Sequence, residues 1–171
     1  IFDCLVGSEM CIRDSTWGAD AIYDIEDGKL IFKSHYKMPA PQSESENCVA
    51  HNGSIIPIPG RDIFVQAWYQ GGMSIMDFTD SSNPTEIAYF DRGPIFEDTL
   101  TTGGYWSTYF YEGFIYGTEI TRGLDVFKLT PSEFVTKEEI AAAENARPAL
   151  GPDRVFNPQQ QIPMTWGKAF Q

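Results

Sequence analysis

Cysteine, histidine and basic residues are all scarce in this 171-residue sequence, and each shortage removes a class of protein. Three cysteines, Cys4, Cys11 and Cys48, and two histidines are too few for a disulfide-dense scaffold or a zinc array. Twelve Lys and Arg stand against 24 Asp and Glu, a net charge of −12, and no basic run interrupts the acidic background. Nucleic acid and anionic membrane surfaces are therefore poor partners. No apolar run approaches the ~20 residues that span a bilayer as a helix. A Gly-rich phosphate loop, a Gly-x-Ser-x-Gly elbow and a His-Glu-x-x-His helix are missing as well.

What the sequence does contain is one strand-like phrase used three times. Ala21-Ile22-Tyr23-Asp24-Ile25, Ser74-Ile75-Met76-Asp77-Phe78 and Asp125-Val126-Phe127-Lys128-Leu129 align without gaps. Gly72 and Gly123 lead the second and third. The spacing of about 50 residues falls in the range of repeat architectures. Asp62-Ile63-Phe64-Val65 matches Gly113-Phe114-Ile115-Tyr116 upstream of those copies. Leu30 to Tyr36 matches Thr85 to Phe90 downstream of the first two. One period thus reads as four short strands, the blade of a β-propeller. The expected fold is all-β, a β-propeller fragment of about three four-stranded antiparallel blades with a short C-terminal helix and tail. A β-sandwich is the simpler alternative.

The first 15 residues stand outside this pattern. Leu5 to Ser15 resembles the forward translation of a transposase-type sequencing adapter, so 1–15 is set aside as an artefact of library construction. Without its one basic and three acidic residues the net charge is −10, and Cys48 is left without a sequence partner. The division expected is 1–15 artefact, 16–130 blades of an incomplete ring, and 131–171 helix and tail, with the remaining blades in upstream sequence.

Within the repeats, Thr16 to Met38 reads as the outer two strands of a blade, joined by Glu26-Asp27-Gly28-Lys29, since Asp-Gly is a strong hairpin signal. Pro39 to Asn47 reads as a surface connection. The second blade runs from Cys48 to Asp91, with strands over Ser54–Pro59, Ile63–Trp68 and Met73–Phe78 followed by an outer strand. The third has strands over Tyr105–Tyr111 and Phe114–Glu119 and a last one ending at Leu129. Thr136-Lys137-Glu138-Glu139 is a capping box that opens a helix to about Asn145. The tail beyond it is rich in proline, and its Val155, Phe156, Ile162, Met164 and Trp166 imply packing along the sheets.

Blade topology gathers the loops that precede each inner strand, and those joining second to third strands, at one end of the sheets. Ligand sites favour such loop clusters. That end carries His51, Asn52, Trp68, Tyr69, Gln70, Tyr105, Trp106, Glu119 and Arg122, aromatic pairs with amides and an Arg/Glu pair suited to a sugar, glycan or peptide. Trp68 and Trp106 serve equally well as packing between blades. Cys48 and His51, three residues apart, are potential zinc or copper ligands, or a thiol and its activating base, but two groups do not complete a site. A buried thiol beside a lining histidine is the simpler reading. Asp77 to Asn83 clusters oxygen ligands without the glycine and terminal glutamate of an EF-hand loop, so turn capping accounts for it. Asp24 and Asp77 share a repeat position and are expected to order their turns.

Gly72 to Asp77 and Gly123 to Leu129, with Cys48 to Gly53, Gln66 to Gly72, Gly104 to Ser107 and Gly117 to Val126, resemble the LVIVD-repeat proteins, bacterial and archaeal β-propellers mostly held to be exported. The likeness covers residues 17–134, and Lys128 departs from a usually acidic position of the repeat. It implies a propeller in an extracytoplasmic setting and carries no catalytic residue across. The expected role is recognition of an extracytoplasmic ligand, polymer or protein partner without catalysis and with no cofactor. The alternatives are a hydrolase or oxidoreductase using a divalent metal at His51 and Cys48, and a structural cell-surface propeller.

Overall fold

Adjacent β-branched, aromatic and other apolar side chains, Ile22 beside Tyr23, Ile75 beside Met76 and Val126 beside Phe127, suit a strand with two faces to cover, and all three copies of the repeated phrase fall on strands of antiparallel sheets. The computed structural model describes residues 3–6, 18–41 and 43–146. Sheet 1 has the order β1 (Asp3–Val6), β2 (Asp20–Glu26), β3 (Lys29–Tyr36). Sheet 2 runs β4 (Gly53–Ile56), β5 (Ile63–Ala67), β6 (Met73–Asp77), β7 (Thr85–Phe90). Sheet 3 consists of β8 (Tyr105–Tyr111), β9 (Phe114–Glu119) and β10 (Gly123–Phe127), and the helix α1 spans Lys137–Asn145. The all-β expectation is met, and the repeated phrase falls on β2, β6 and β10. The tight hairpins form at Asp27-Gly28 and Glu112-Gly113, where all four residues take positive φ, the geometry that matches strand twist.

The strand count per sheet departs from four in two places. Asp3–Val6 pairs antiparallel with β2, Cys4 opposite Tyr23, so the stretch set aside on sequence grounds adds a strand to sheet 1. Among the described residues sheet 3 has three strands, since the chain leaves β10 for the helix instead of turning straight back. β4 also ends at Ile56, short of the expected Pro59, because Pro57 has no N–H to donate to the ladder. Thr16, Trp17 and the tail from residue 147, with its apolar Val155, Phe156, Ile162, Met164 and Trp166, lie outside the described residues.

Sheet 2 is buried on both sides, and alternation along its strands decides which residue goes where. Ile56, Ile63, Val65, Ala67, Met73 and Ile75 point toward sheet 3 and meet Tyr105, Phe110 and Ile115. Ile55, Met76 and Phe78 point the other way and meet Ile22 and Tyr36 of sheet 1. A bulge between Ile75 and Met76 shifts the register against β7. Within the joint of sheets 1 and 2, Ser74 Oγ accepts from Trp68 Nε1 at 2.8 Å and from Tyr36 Oη at 3.1 Å. Both aromatic polar groups are thereby satisfied in an apolar setting, which makes their burial affordable.

The helix closes the end of the core opposite the aromatic loops. Thr136 caps it, its hydroxyl accepting from Glu139 N at 3.2 Å while the Glu139 carboxylate accepts from Thr136 N at 2.7 Å. Ile140 and Ala143, one turn apart, are its buried residues and join the cluster between sheets 2 and 3. Arg61 ties this helix to sheet 2. Its Nη2 lies 2.6 Å from Asp77 Oδ2, and its Nη1 donates to Glu139 Oε1 at 2.8 Å and to the Phe134 carbonyl at 2.9 Å. Asp77 meanwhile holds its turn as expected, Oδ1 accepting from Thr79 N and Oγ1. Asp24, at the matching repeat position, pairs instead with Lys33 Nζ at 2.8 Å.

Two predictions follow from this packing. Arg61→Ala should lower unfolding free energy by about 1–3 kcal/mol, measured by denaturant titration, because three acceptors lose their donor at a partly shielded site. Added salt should narrow the gap between the two proteins. The second concerns Asp20, which is 2% exposed at the start of β2 with Oδ2 unpartnered among the described residues. Burial pushes its carboxyl up to about 7. The unfolded carboxyl titrates near ~3.9, so the unfolded chain sheds a proton that the folded chain keeps. Stability from this group is full in acid and falls as pH rises through about 7. Asp20→Asn should flatten that slope in thermal unfolding curves recorded from pH 4 to pH 8, within the ordinary carboxyl-to-neutral range.

Candidate functional site

Four loops meet at one end of the sheets, linked by backbone hydrogen bonds. The segment before β4 bonds to the β5–β6 connection through His51 N to Ala67 O at 2.8 Å and Gln70 N to Asn47 O at 2.9 Å. Tyr69 and Tyr105 exchange a pair of bonds, 3.1 and 2.8 Å, that joins this connection to the start of β8. Ile120 N then donates to Gly104 O at 3.0 Å, bringing in the β9–β10 turn. Gly104 makes the approach possible. Its φ is +86°, and a Cβ there would sit 1.9 Å from the Tyr69 carbonyl carbon.

Glu119 and Gln70 hold these loops from inside. The Glu119 carboxylate, 4% exposed, accepts from Gly104 N at 2.6 Å and from Thr121 N at 3.0 Å, and also from Arg122 N. Gln70 donates to Thr101 O at 2.7 Å and accepts from Ile95 N at 2.8 Å, fixing the connection between sheets 2 and 3. Trp68 and Tyr105 are equally internal. Trp68 is fully buried on Ser74, and Tyr105 is 2% exposed with its hydroxyl 2.6 Å from Asp125 Oδ2. Four of the nine residues assigned to the ligand face from sequence therefore present no surface.

His51, Asn52, Tyr69, Trp106 and Arg122 remain at this end. Trp106, 48% exposed, packs on the His51 ring at 4.2 Å between centroids and meets Tyr69 edge-on at 5.8 Å. His51 Nδ1 faces the Trp106 carbonyl, so that nitrogen carries the proton and donates. In the neutral ring this leaves Nε2 as an acceptor. Tyr69 is itself mostly buried and forms the floor. Arg122 reaches Pro94 O at 3.3 Å from the exposed side, and Asn52 sits half-buried where its backbone bridges to Ser107. The product is an aromatic step with an imidazole acceptor, an amide and a guanidinium nearby.

Cys48 and His51 face different neighbours. The thiol lies with Met38 against Gly71, where an added Cβ would come within 3.0 Å of Cys48 Sγ and 2.6 Å of Met38 Cε. Burial, then the charges of Glu46 and Asp91, push this thiol up to about 12. A neutral, enclosed thiol is a poor nucleophile and a poor ligand. No group of three or more His, Cys, Asp and Glu side chains able to hold a metal ion is found among the described residues. The Asp77–Asn83 turn is held by its own side chains, with Asp80 Oδ1 accepting from Ser82 N at 3.0 Å. Gly104 is the contributor missed by sequence reasoning about the site, although the Gly103-Gly104 pair ahead of two aromatics was its signal.

Compared with protein-family models, curated proteins and solved structures, the chain matches none of them.

The Cys48 environment gives a direct test. In the folded protein the thiol should resist maleimide at pH 8 and react fully in denaturant. The unfolded thiol loses its proton near ~8.5 while the folded one keeps it, so stability contributed here is present below that pH and lost as pH rises further. Cys48→Ala should reduce the alkaline loss of stability between pH 8.5 and pH 11, followed by circular dichroism over the window set by the ordinary thiol value of ~8.5.

Proposed function

We propose that this chain is part of an extracytoplasmic β-propeller that recognises a ligand, a glycan or peptide segment, at the loop end centred on Trp106. The observation that carries the reading is the half-exposed Trp106 ring, immobilised on His51 and Tyr69. An aromatic surface held rigid before binding loses little entropy on contact, and such residues dominate binding energy where they occur. Indole faces suit the C–H faces of sugars and the planar groups of peptides, and Asn52, Arg122 and His51 Nε2 supply polar complements. Tandem antiparallel sheets at a regular period support the propeller, and the resemblance to LVIVD-repeat proteins supports the exported setting. The acidic net charge, −12 for the whole sequence, favours neutral or basic ligands over polyanions.

The test is binding of the full-length protein to a panel of glycans and envelope proteins, repeated with Trp106→Ala. Because Trp106 lies at the surface, this variant should keep its fold while losing about tenfold or more in affinity for whatever the parent binds. Unchanged affinity would remove the loop end as the recognition surface. Trp68→Ala is the control, since removing a buried, hydrogen-bonded indole should reduce stability by about 3–5 kcal/mol instead.

A further inference from the structure

The connection from β7 to β8, residues 91–104, is long for a stretch with no strand or helix of its own, and connections of that kind usually carry function. Its two feet are clamped. The buried Gln70 side chain accepts from Ile95 N at 2.8 Å and donates to Thr101 O at 2.7 Å, and Arg122 Nη2 reaches Pro94 O at 3.3 Å. Ile95 packs against Gly103, where an added Cβ would meet its Cγ1 at 2.5 Å. The residues between the clamps, 96–100, do the opposite. Phe96 is 56% and Leu100 52% exposed, and Glu97, Asp98 and Thr99 between them are exposed as well. Asp98 Oδ1 accepts from Thr99 Oγ1 at 3.1 Å, and neither acidic residue meets a cation among the described residues. Ile120, 42% exposed, adds an apolar neighbour beside the second foot, its N bonded to Gly104 O.

We propose that the 96–100 tongue is a docking element for a protein partner that presents an apolar cleft ringed by Lys and Arg. Its chemistry selects that occupant. An aromatic and an aliphatic side chain held out on a clamped loop are the kind of anchor that dominates protein interfaces, since little freedom is lost when they enter a pocket. Glu97 and Asp98 belong to the same tongue, so the rim of that pocket must supply cations; carboxylates left unpaired there would oppose burial. The same requirement disfavours a lipid surface. Insertion would drag both carboxylates toward hydrocarbon, and anionic headgroups would repel them. A second copy of the chain is a poor match as well, with 24 acidic residues against 12 basic. Trp106 takes no part in the tongue, so this docking is independent of what the aromatic step binds.

The experiment uses the full-length protein and a fluorescent amphipathic peptide with one face of Leu and Phe and one of Lys and Arg, followed by anisotropy. A counterpart peptide with Glu in place of the cations and vesicles of phosphatidylcholine are the comparison probes. The basic peptide should bind, and Phe96→Ser combined with Leu100→Ser should weaken it about tenfold or more. Glu97→Gln combined with Asp98→Asn should weaken it about threefold and reduce its salt dependence. These positions are exposed, so both variants should unfold at the temperature of the parent, and the charge pair keeps the test open should the apolar pair fail to fold. Trp106→Ala should leave the affinity unchanged, which separates this surface from the aromatic step. No binding of the basic peptide, equal affinity in the Phe96 and Leu100 variant, or equal binding of the Glu peptide overturns the proposal. Binding lost with Trp106→Ala and kept in the tongue variants puts the peptide on the aromatic step and does the same. Tongue-dependent binding to the vesicles assigns the loop to a membrane, tongue-dependent self-association assigns it to a second copy, and either result overturns the proposal.

Discussion

Everything in this structure depends on one sheet having both faces covered. The strands β4, β5 and β6 carry apolar residues at successive positions, Ile55 beside Ile56 and Ile75 beside Met76, and water tolerates neither face. Sheets 1 and 3 are the covers, and each is amphipathic in a simpler way, with one face against sheet 2. The helix fills the remaining gap at one end, where Ile140 and Ala143 reach the same cluster as Ile56 and Ile63. The polar groups drawn inward by this arrangement, Ser74 among them, are those that can satisfy two partners at once.

The aromatic step at the loop end is a by-product of the same stacking. Sheets 2 and 3 approach closely enough for Tyr69 and Tyr105 to exchange backbone bonds, and Trp106 is carried past them by the bulge that follows Tyr105. His51 arrives from the segment that leads into β4, so three loops of different origin build one surface. Glu119 and Gln70 spend their hydrogen-bonding capacity on backbone groups, which makes the surface stiff without their being part of it.

The repeated phrase, the turn glycines and the capping box were legible in the sequence because each is a local pattern with a local cause. The fates of Trp68 and Trp106 were not. Both sit at a strand end next to tyrosine, and only the register tells them apart. Trp68 turns toward Ser74 in the joint of sheets 1 and 2, whereas Trp106 lies on the bulge and faces out. The inward placement of Glu119 and Gln70 was hidden for a related reason, since a polar side chain near a loop looks the same in sequence whether it meets a ligand or a backbone amide. Cys48 and His51 show the same limit: three positions apart along the chain, they lie beside different partners once the loops are formed.

Arg61 joins residues that are far apart in the chain, and that has a consequence for the order of folding. Its two carboxylate partners lie 16 and 78 positions away. The nearer contact closes with the β5–β6 hairpin, a fast event, whereas the farther one requires the whole of sheet 3 to be laid down first. Until then α1 has its cap but no surface to rest on, and nine residues are short for a helix left to itself in water. The helix is thus a late reporter of assembly, acquiring lasting structure only when sheets 2 and 3 have met.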